Sequence, residues 1–149
     1  MKIRSYSVVD RDACLQILAG NTPEFFIPKD RDDLANFLDQ LPGPYYIVEK
    51  AGTIAACGGW AMDDDQIAAL TWGMVRRDLH RQGIGRFLLH HRLNAIRDDG
   101  RARLVRIRTV QLVQGFYECE GFEVVDVVPN GYGDGLDRVT MTFGRNHER

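Results

Sequence analysis

Cysteine is scarce in this chain: its 149 residues hold three, Cys14, Cys57 and Cys119, an odd number at wide spacing. That excludes a disulfide framework and a zinc site built on close cysteine pairs, and suits reduced thiols in the cytoplasm. No apolar run approaches the ~20 residues of a membrane-spanning helix. The N-terminal stretch MKIRSYSVVD lacks the apolar core of a secretion signal. Charge of one sign is not in excess either. The net charge is −2, so a nucleic-acid binder would need a strong local basic patch. The segment RARLVRIR at 101–108 has no interleaved aromatics for base stacking, and its Arg106 and Arg108 share one strand face, as solvated or ion-paired arginines do. Repeats, low-complexity tracts and linkers are also absent, which leaves one domain, residues 1–149. A chain of this length buries enough surface to need no metal staple.

What is present is a regular succession of apolar patterns. Ile3 to Val9 reads as a first strand. Asp10 then caps a helix with Ala13, Cys14, Ile17 and Leu18 on one face, ended by GNTP. Asp30 caps a second helix, with Leu34, Phe37, Leu38 and Leu41 at helical spacing, stopped by PGP at 42–44. Tyr45 to Lys50 and Thr53 to Ala61 read as strands joined by the turn Ala51-Gly52. A fourth strand, Ile67 to Val75, follows the acidic turn at 63–65. A helix runs from Gly83 to about Asp98 and ends at Gly100. Leu104 to Val110 is a strand, Val113 to Cys119 a short helix and Phe122 to Val128 a strand. The loop PNGYGDGLD separates it from a last strand, Val139 to Phe143. This order predicts an α/β (α+β) fold, a mixed sheet with helices packed on it.

The chemistry concentrates where the fourth strand meets the third helix. Gly83 and Gly85 open that helix after a short basic loop. A helix start leaves backbone N–H groups unpaired and carries the positive end of the macrodipole, and glycine lets a phosphate approach closely. Arg76, Arg77, Arg81, Arg86 and Arg92 surround the turn, with Asp78 the only acid between 76 and 92. The local field suits a polyanionic, phosphate-bearing ligand. A Walker loop is excluded for want of Gly-Lys-Ser/Thr. A dinucleotide fingerprint fails because Leu88 stands at its third glycine and Arg103 and Leu104 near its acidic position. The spacing alone also fits a tight turn with solvated arginines.

The stretch MVRRDLHRQGIGRFLL resembles motif A of the GNAT superfamily of N-acetyltransferases, with Gly83 and Gly85 at its glycine positions and His80 where Gln or Arg is usual. A second segment, GFYECEGF at 115–122, resembles the tyrosine segment of the same family. The element order also matches along essentially the whole chain. The resemblance implies a mostly antiparallel sheet of about seven strands flanked by about four helices, and acetyl-CoA as co-substrate without a metal. It implies that Arg81, Gln82, Gly83, Ile84, Gly85 and Arg86 hold the pyrophosphate. Met74 and Val75 would line the pantetheine arm, and Tyr117 would protonate the leaving thiolate. Val110 stands where the family often has asparagine, with Gln111 the nearest amide.

Acetyl transfer to an amine requires that the thioester be held, the amine deprotonated, the developing oxyanion stabilised and the thiolate protonated. A backbone N–H near Met74 or Val75 is the candidate oxyanion donor. Tyr117, a phenol, can act as the acid; the alternative role is a packed ring beside Phe116 and Phe122. The fourth strand carries no Glu, Asp or His, so no base is identified. His90 and His91 and the acids at 63–65 fit surface or turn roles, and a water relay serves as well. The acceptor site falls on GNTPEFFIPKD and PNGYGDGLD, where Phe25, Phe26 and Tyr132 form an aromatic wall and Glu24 or Asp134 attracts a cationic amine; the alternative is that the phenylalanines only cap the core. The reading is an acetyl-CoA-dependent N-acetyltransferase acting on a small-molecule or peptide amine, cytoplasmic, with no nucleic-acid or membrane partner and compatible with a homodimer. The rivals are a non-catalytic acyl-CoA sensor and an acyltransferase with a longer donor.

Overall fold

Alternation along the strands decides which helix covers which face of the sheet. In β2 (Tyr45–Lys50) and β3 (Thr53–Met62), Ile47 and Cys57 point to one side while Val48 and Ala56 point to the other. The first side packs α1 (Arg11–Gly20) and α2 (Asp30–Asp39) through Cys14, Leu18, Leu34 and Leu38. The second side packs α3 (Ile84–Asp99) through Ile84 and Leu88, and further along through Leu89 and Ile96. Both faces of the central strands are therefore buried, as their nearly unbroken apolar runs require.

A computed structural model describes residues 1–144. The remaining elements are β1 (Lys2–Ser5), β4 (Ile67–Val75), β5 (Leu104–Thr109), α4 (Gln114–Cys119), β6 (Glu123–Gly133) and β7 (Leu136–Gly144). The seven strands lie in the order β1-β2-β3-β4-β5-β7-β6. Every neighbouring pair is antiparallel except β4 with β5. Seven strands and four α-helices match the expected mixed, mostly antiparallel architecture. No helix of the described residues is long and apolar enough to cross a membrane.

Four local expectations are corrected. The first strand stops at Ser5, and Val8–Asp10 form a single 3₁₀ turn instead of strand. Asp10 is drawn there by Arg4, whose guanidinium grips both its oxygens at 2.8 and 2.9 Å, while the Ser7 amide donates to Oδ2 at 2.9 Å. It makes no side-chain cap bond to α1. Asp30 likewise does not cap α2 but accepts the Ile27 amide at 2.9 Å, closing the preceding loop. PNGYGDGLD is mostly not a loop: β6 runs on to Gly133 and β7 begins at Leu136, leaving a turn at 134–135. The Asn130 side chain accepts the Gly135 amide and the Asp137 side chain accepts the Asn130 amide, which holds this glycine-rich hairpin extended.

Candidate active site

The parallel pair at the centre of the sheet is barely a pair. Only Ile67, Ala68 and Ala69 of β4 align with Leu104, Val105 and Arg106 of β5. Further along, Cys57 of β3 faces Met74 and Gly59 faces Thr71, so two residues of β4 oppose Gly58 alone. This is a β-bulge, with Trp72 at φ +40°. Beyond it β4 and β5 part, and a cleft of about 1030 Å³ opens between Ala69–Val75 and Arg106–Val110.

One end of the cleft is the turn that opens α3. Gly83 has φ +83°, and a Cβ placed there would meet nothing within 4 Å, so its glycine serves the left-handed backbone and not a packing need. Arg81 is left-handed too, at φ +65°. The chain thus reverses sharply and presents the first amides of α3, which have no helical acceptor. Met74, Val75, Arg81, Gly83, Gly85 and Arg86 all line the cleft. Gln82 does not: it is exposed and accepts a hydrogen bond from Lys50. Ile84 points inward and is 1% exposed beneath β3. The surrounding charge is largely matched locally. Arg76 pairs with Asp78, Arg77 with Glu24 and Arg86 with Glu120. Arg81 has no acidic partner among the described residues.

Tyr117 lines the wall formed by α4. Its ring meets Phe116 and Phe122 edge-on at 5.0 and 5.3 Å, so packing fixes its direction. Phe25, Phe26 and Tyr132 reach the same cleft from the α1–α2 loop and the β6–β7 hairpin. Phe26 stacks on Trp72 at the bulge, and burial pushes the Tyr132 phenol up from its ordinary value. Glu24 stands outside the lining, bound to Arg77, whose guanidinium also lies over Phe25. Gln111 is turned away: its amide donates to Gly135 and accepts from the Asp137 amide, so it clamps the hairpin. Asp63 accepts the amides of Asp65 and Ile67, a turn role.

Four further residues line the cleft: Asn21 and Glu120, which have no expected role, and His80 and Arg92, which the sequence groups with the helix turn. Asn21 donates to Ile17 and Val75 carbonyls, and its Oδ1 is buried without a partner among the described residues. The His80 ring lies 2.9 Å from the same Val75 carbonyl. Glu120 bridges Arg86 and His90, the latter at 2.6 Å. Arg92 is 2% exposed, far too buried for an ordinary surface arginine. Contrary to expectation it does not surround the α3 turn but sits on the buried face between Leu88 and Ile96; that spacing is visible in the sequence, while the room for its guanidinium comes from glycines in two other strands. Among the described residues no cluster of His, Cys, Asp and Glu converges to hold a metal.

The model of the acetyltransferase (GNAT) domain matches residues 42–124, more than half of the chain. Comparison with curated protein sequences returns no match. Among solved structures, the chain is similar to the ribosomal-protein-S18-alanine N-acetyltransferase of Escherichia coli, with 21% identity, TM-score 0.81, and coverage of 95% of this chain and 92% of that one. It is similar to an aminoglycoside 6'-N-acetyltransferase complexed with coenzyme A, with 14% identity, TM-score 0.78 and 96% of each chain covered. It is also similar to yncA from Salmonella typhimurium, solved with its cofactor acetyl-CoA, with 19% identity, TM-score 0.75, and coverage of 97% and 93%.

Proposed function

The chain belongs to the GNAT acetyltransferase family and is an acyltransferase; we propose that, as one domain, it transfers an acetyl group from acetyl-CoA to a primary amine of a small molecule or peptide. The observation that carries this is the splay of β4 from β5, which joins the left-handed Gly83 turn and the Tyr117 wall in one cleft. The cleft fits such a donor: free amides and Arg81 at one end suit phosphates, and the exposed strand edge of β4 suits an amide-bearing arm.

Acetyl-CoA supplies the activated acetyl group. The α3 turn holds its pyrophosphate through backbone amides of residues 82–86. An amide of Met74 or Val75 steadies the thioester oxygen, and such a donor is typically worth ~10²–10³ in rate. The Tyr117 hydroxyl gives its proton to the departing sulfur. On the opposite wall Phe25, Phe26 and Tyr132 enclose the acceptor, and Asp30 supplies a carboxylate that attracts its ammonium. A water takes the amine proton, since β4 offers no basic side chain. We place the protein in the cytoplasm, without nucleic-acid or membrane partners; a homodimer suits the outer strand β6, whose Val125 and Val127 are exposed.

The test is release of free CoA thiol from acetyl-CoA in a screen of polyamines, aminoglycosides, amino acids and peptides. Thiol release that requires an acceptor supports the reading. Tight binding of acetyl-CoA with no release from any acceptor would replace it with a sensor role.

A further inference from the structure

Arg92 occupies a core position of α3, with Leu88 one turn before it and Ile96 one turn after, both buried. Its guanidinium lies under the β3–β4 bulge, where glycines make room. A Cβ on Gly73 would stand 3.0 Å from one terminal nitrogen, and a Cβ on Gly58 3.4 Å from the guanidinium carbon. Among the described residues the group makes one long hydrogen bond, to the Gly59 carbonyl at 3.3 Å, and its Nε has no partner. No carboxylate among the described residues comes within ion-pair distance of it. The two acids that line the cleft are engaged elsewhere, Asp30 with the Ile27 amide and Glu120 with Arg86 and His90. Arginine has five N–H donors and does not shed its proton. A buried cation without a counter-charge is costly, so the site is chemically complete only with an anion. Arg92 lines the cleft, so an anion can reach it. The hydroxyl of Thr71, also buried and without a partner among the described residues, lines the same stretch.

Which anion is a question of position. The phosphate turn lies eight residues back along α3, about 12 Å at ~1.5 Å per residue. The acceptor wall reaches the bulge from the other face of the sheet, where Phe26 stacks on Trp72 against the α1–α2 core. What remains beside the bulge is the acyl end of the donor. We propose that Arg92 receives a carboxylate on the acyl group, so that the cleft takes, beside acetyl-CoA, the CoA thioester of a short dicarboxylic acid and binds it more tightly. This rests on the acyl-CoA reading of the cleft. The transfer keeps its balance: the amine nitrogen bonds to the thioester carbon, the carbon–sulfur bond breaks, and the proton lost by the amine is matched by one gained on sulfur.

The experiment compares acetyl-, malonyl- and succinyl-CoA with the whole protein by calorimetric titration and melting shift, without any acceptor. A charge-assisted contact predicts that at least one dicarboxylic thioester binds ~10–100-fold more tightly than acetyl-CoA. Arg92→Met keeps the volume and removes the charge, so that ratio should fall to about one; Arg92→Lys should keep part of it. If Arg92→Met does not fold, the wild-type and Arg92→Lys ratios decide. Equal or tighter binding of acetyl-CoA by the wild type overturns the proposal and leaves the acetyltransferase reading standing. A preference that survives in Arg92→Met also overturns it. If no CoA thioester binds, both readings fall.

Discussion

The hydroxyl of Tyr117 is a small part of a side chain that packs between two phenylalanines, and this makes its two roles separable. Tyr117→Phe keeps the ring contacts with Phe116 and Phe122 and removes only the donor. Turnover should fall by ~10²-fold, the lower end for a positioned acid, because a CoA thiolate is already a fair leaving group. The acetyl-CoA affinity and melting temperature should hold. Wild-type turnover in a regime limited by chemistry would make the residue a core aromatic. Asp10 gives a second residue-scale test, of stability and not of activity. Its carboxyl is held below the ordinary value of 3.8, first by the Arg4 hydrogen bonds and then by the Ser7 amide, against the opposite push of burial. The unfolded chain therefore takes up the proton first. The stabilisation is complete above pH 3.8, declines as the pH falls below it, and is gone below the folded-state value. Asp10→Asn should lower the melting temperature at neutral pH and flatten its fall in that acid window; parallel curves would rule out this linkage. Residue roles were legible where one residue's backbone signals them, as at Gly83. Arg92 was not, since its environment is assembled by Gly58 and Gly73 from strands distant in sequence.

At the scale of elements, the start of α3 is the piece that local sequence specifies best. Gly85 sits in its first turn with ordinary room beside it, since a Cβ there would lie 3.7 Å from Phe116 and from Val75. Gly85→Ala should therefore fold and keep some donor binding. Gly85→Glu places an anion where the phosphates are proposed to lie and should abolish it. With ligand at a hundred times its dissociation constant the wild type gains ~2.7 kcal/mol, seen as a raised melting temperature that the Glu variant lacks. An equal shift in both would remove the phosphate site from this turn. The three longer helices could be read in advance because their apolar periods run on and stop near Gly or Pro, and the middle strands because they are nearly unbroken apolar runs. The ends of the sheet could not. Val8 and Val9 have strand-forming side chains, yet they are exposed and the chain bends at Ser7 because Arg4 captures Asp10. The β6–β7 hairpin has loop composition, but side-chain bonds from Asn130 and Asp137 and the clamp of Gln111 keep it paired. Tertiary contacts overrode propensity at both places.

For the whole molecule, the consequence of the bulge is a sheet in two parts joined at a narrow seam. β1 to β4 form one part and β5 to β7 the other, and only three residue pairs span them in register. The α1–α2 core belongs to the first part, while the cluster around Leu89, Ile107, Tyr117 and Met141 spans both beneath the seam. A donor lying between Leu70–Val75 and Arg106–Val110 would replace the missing strand contacts and bind the parts together. Native-state hydrogen exchange measures this directly, because amides without stable partners open at low free energy. Saturating acetyl-CoA should slow exchange at Thr71–Val75 and at the first turn of α3 most strongly. It should slow β5 less, and leave β1 and the β1–β2 pairing, remote from the cleft, nearly unchanged. Protection raised evenly across all seven strands would mean only global stabilisation by mass action. Protection confined to the α3 turn would mean that the phosphates are held while the arm never enters the seam. The Gly85→Glu variant supplies the control, since its pattern should be the same with and without the ligand.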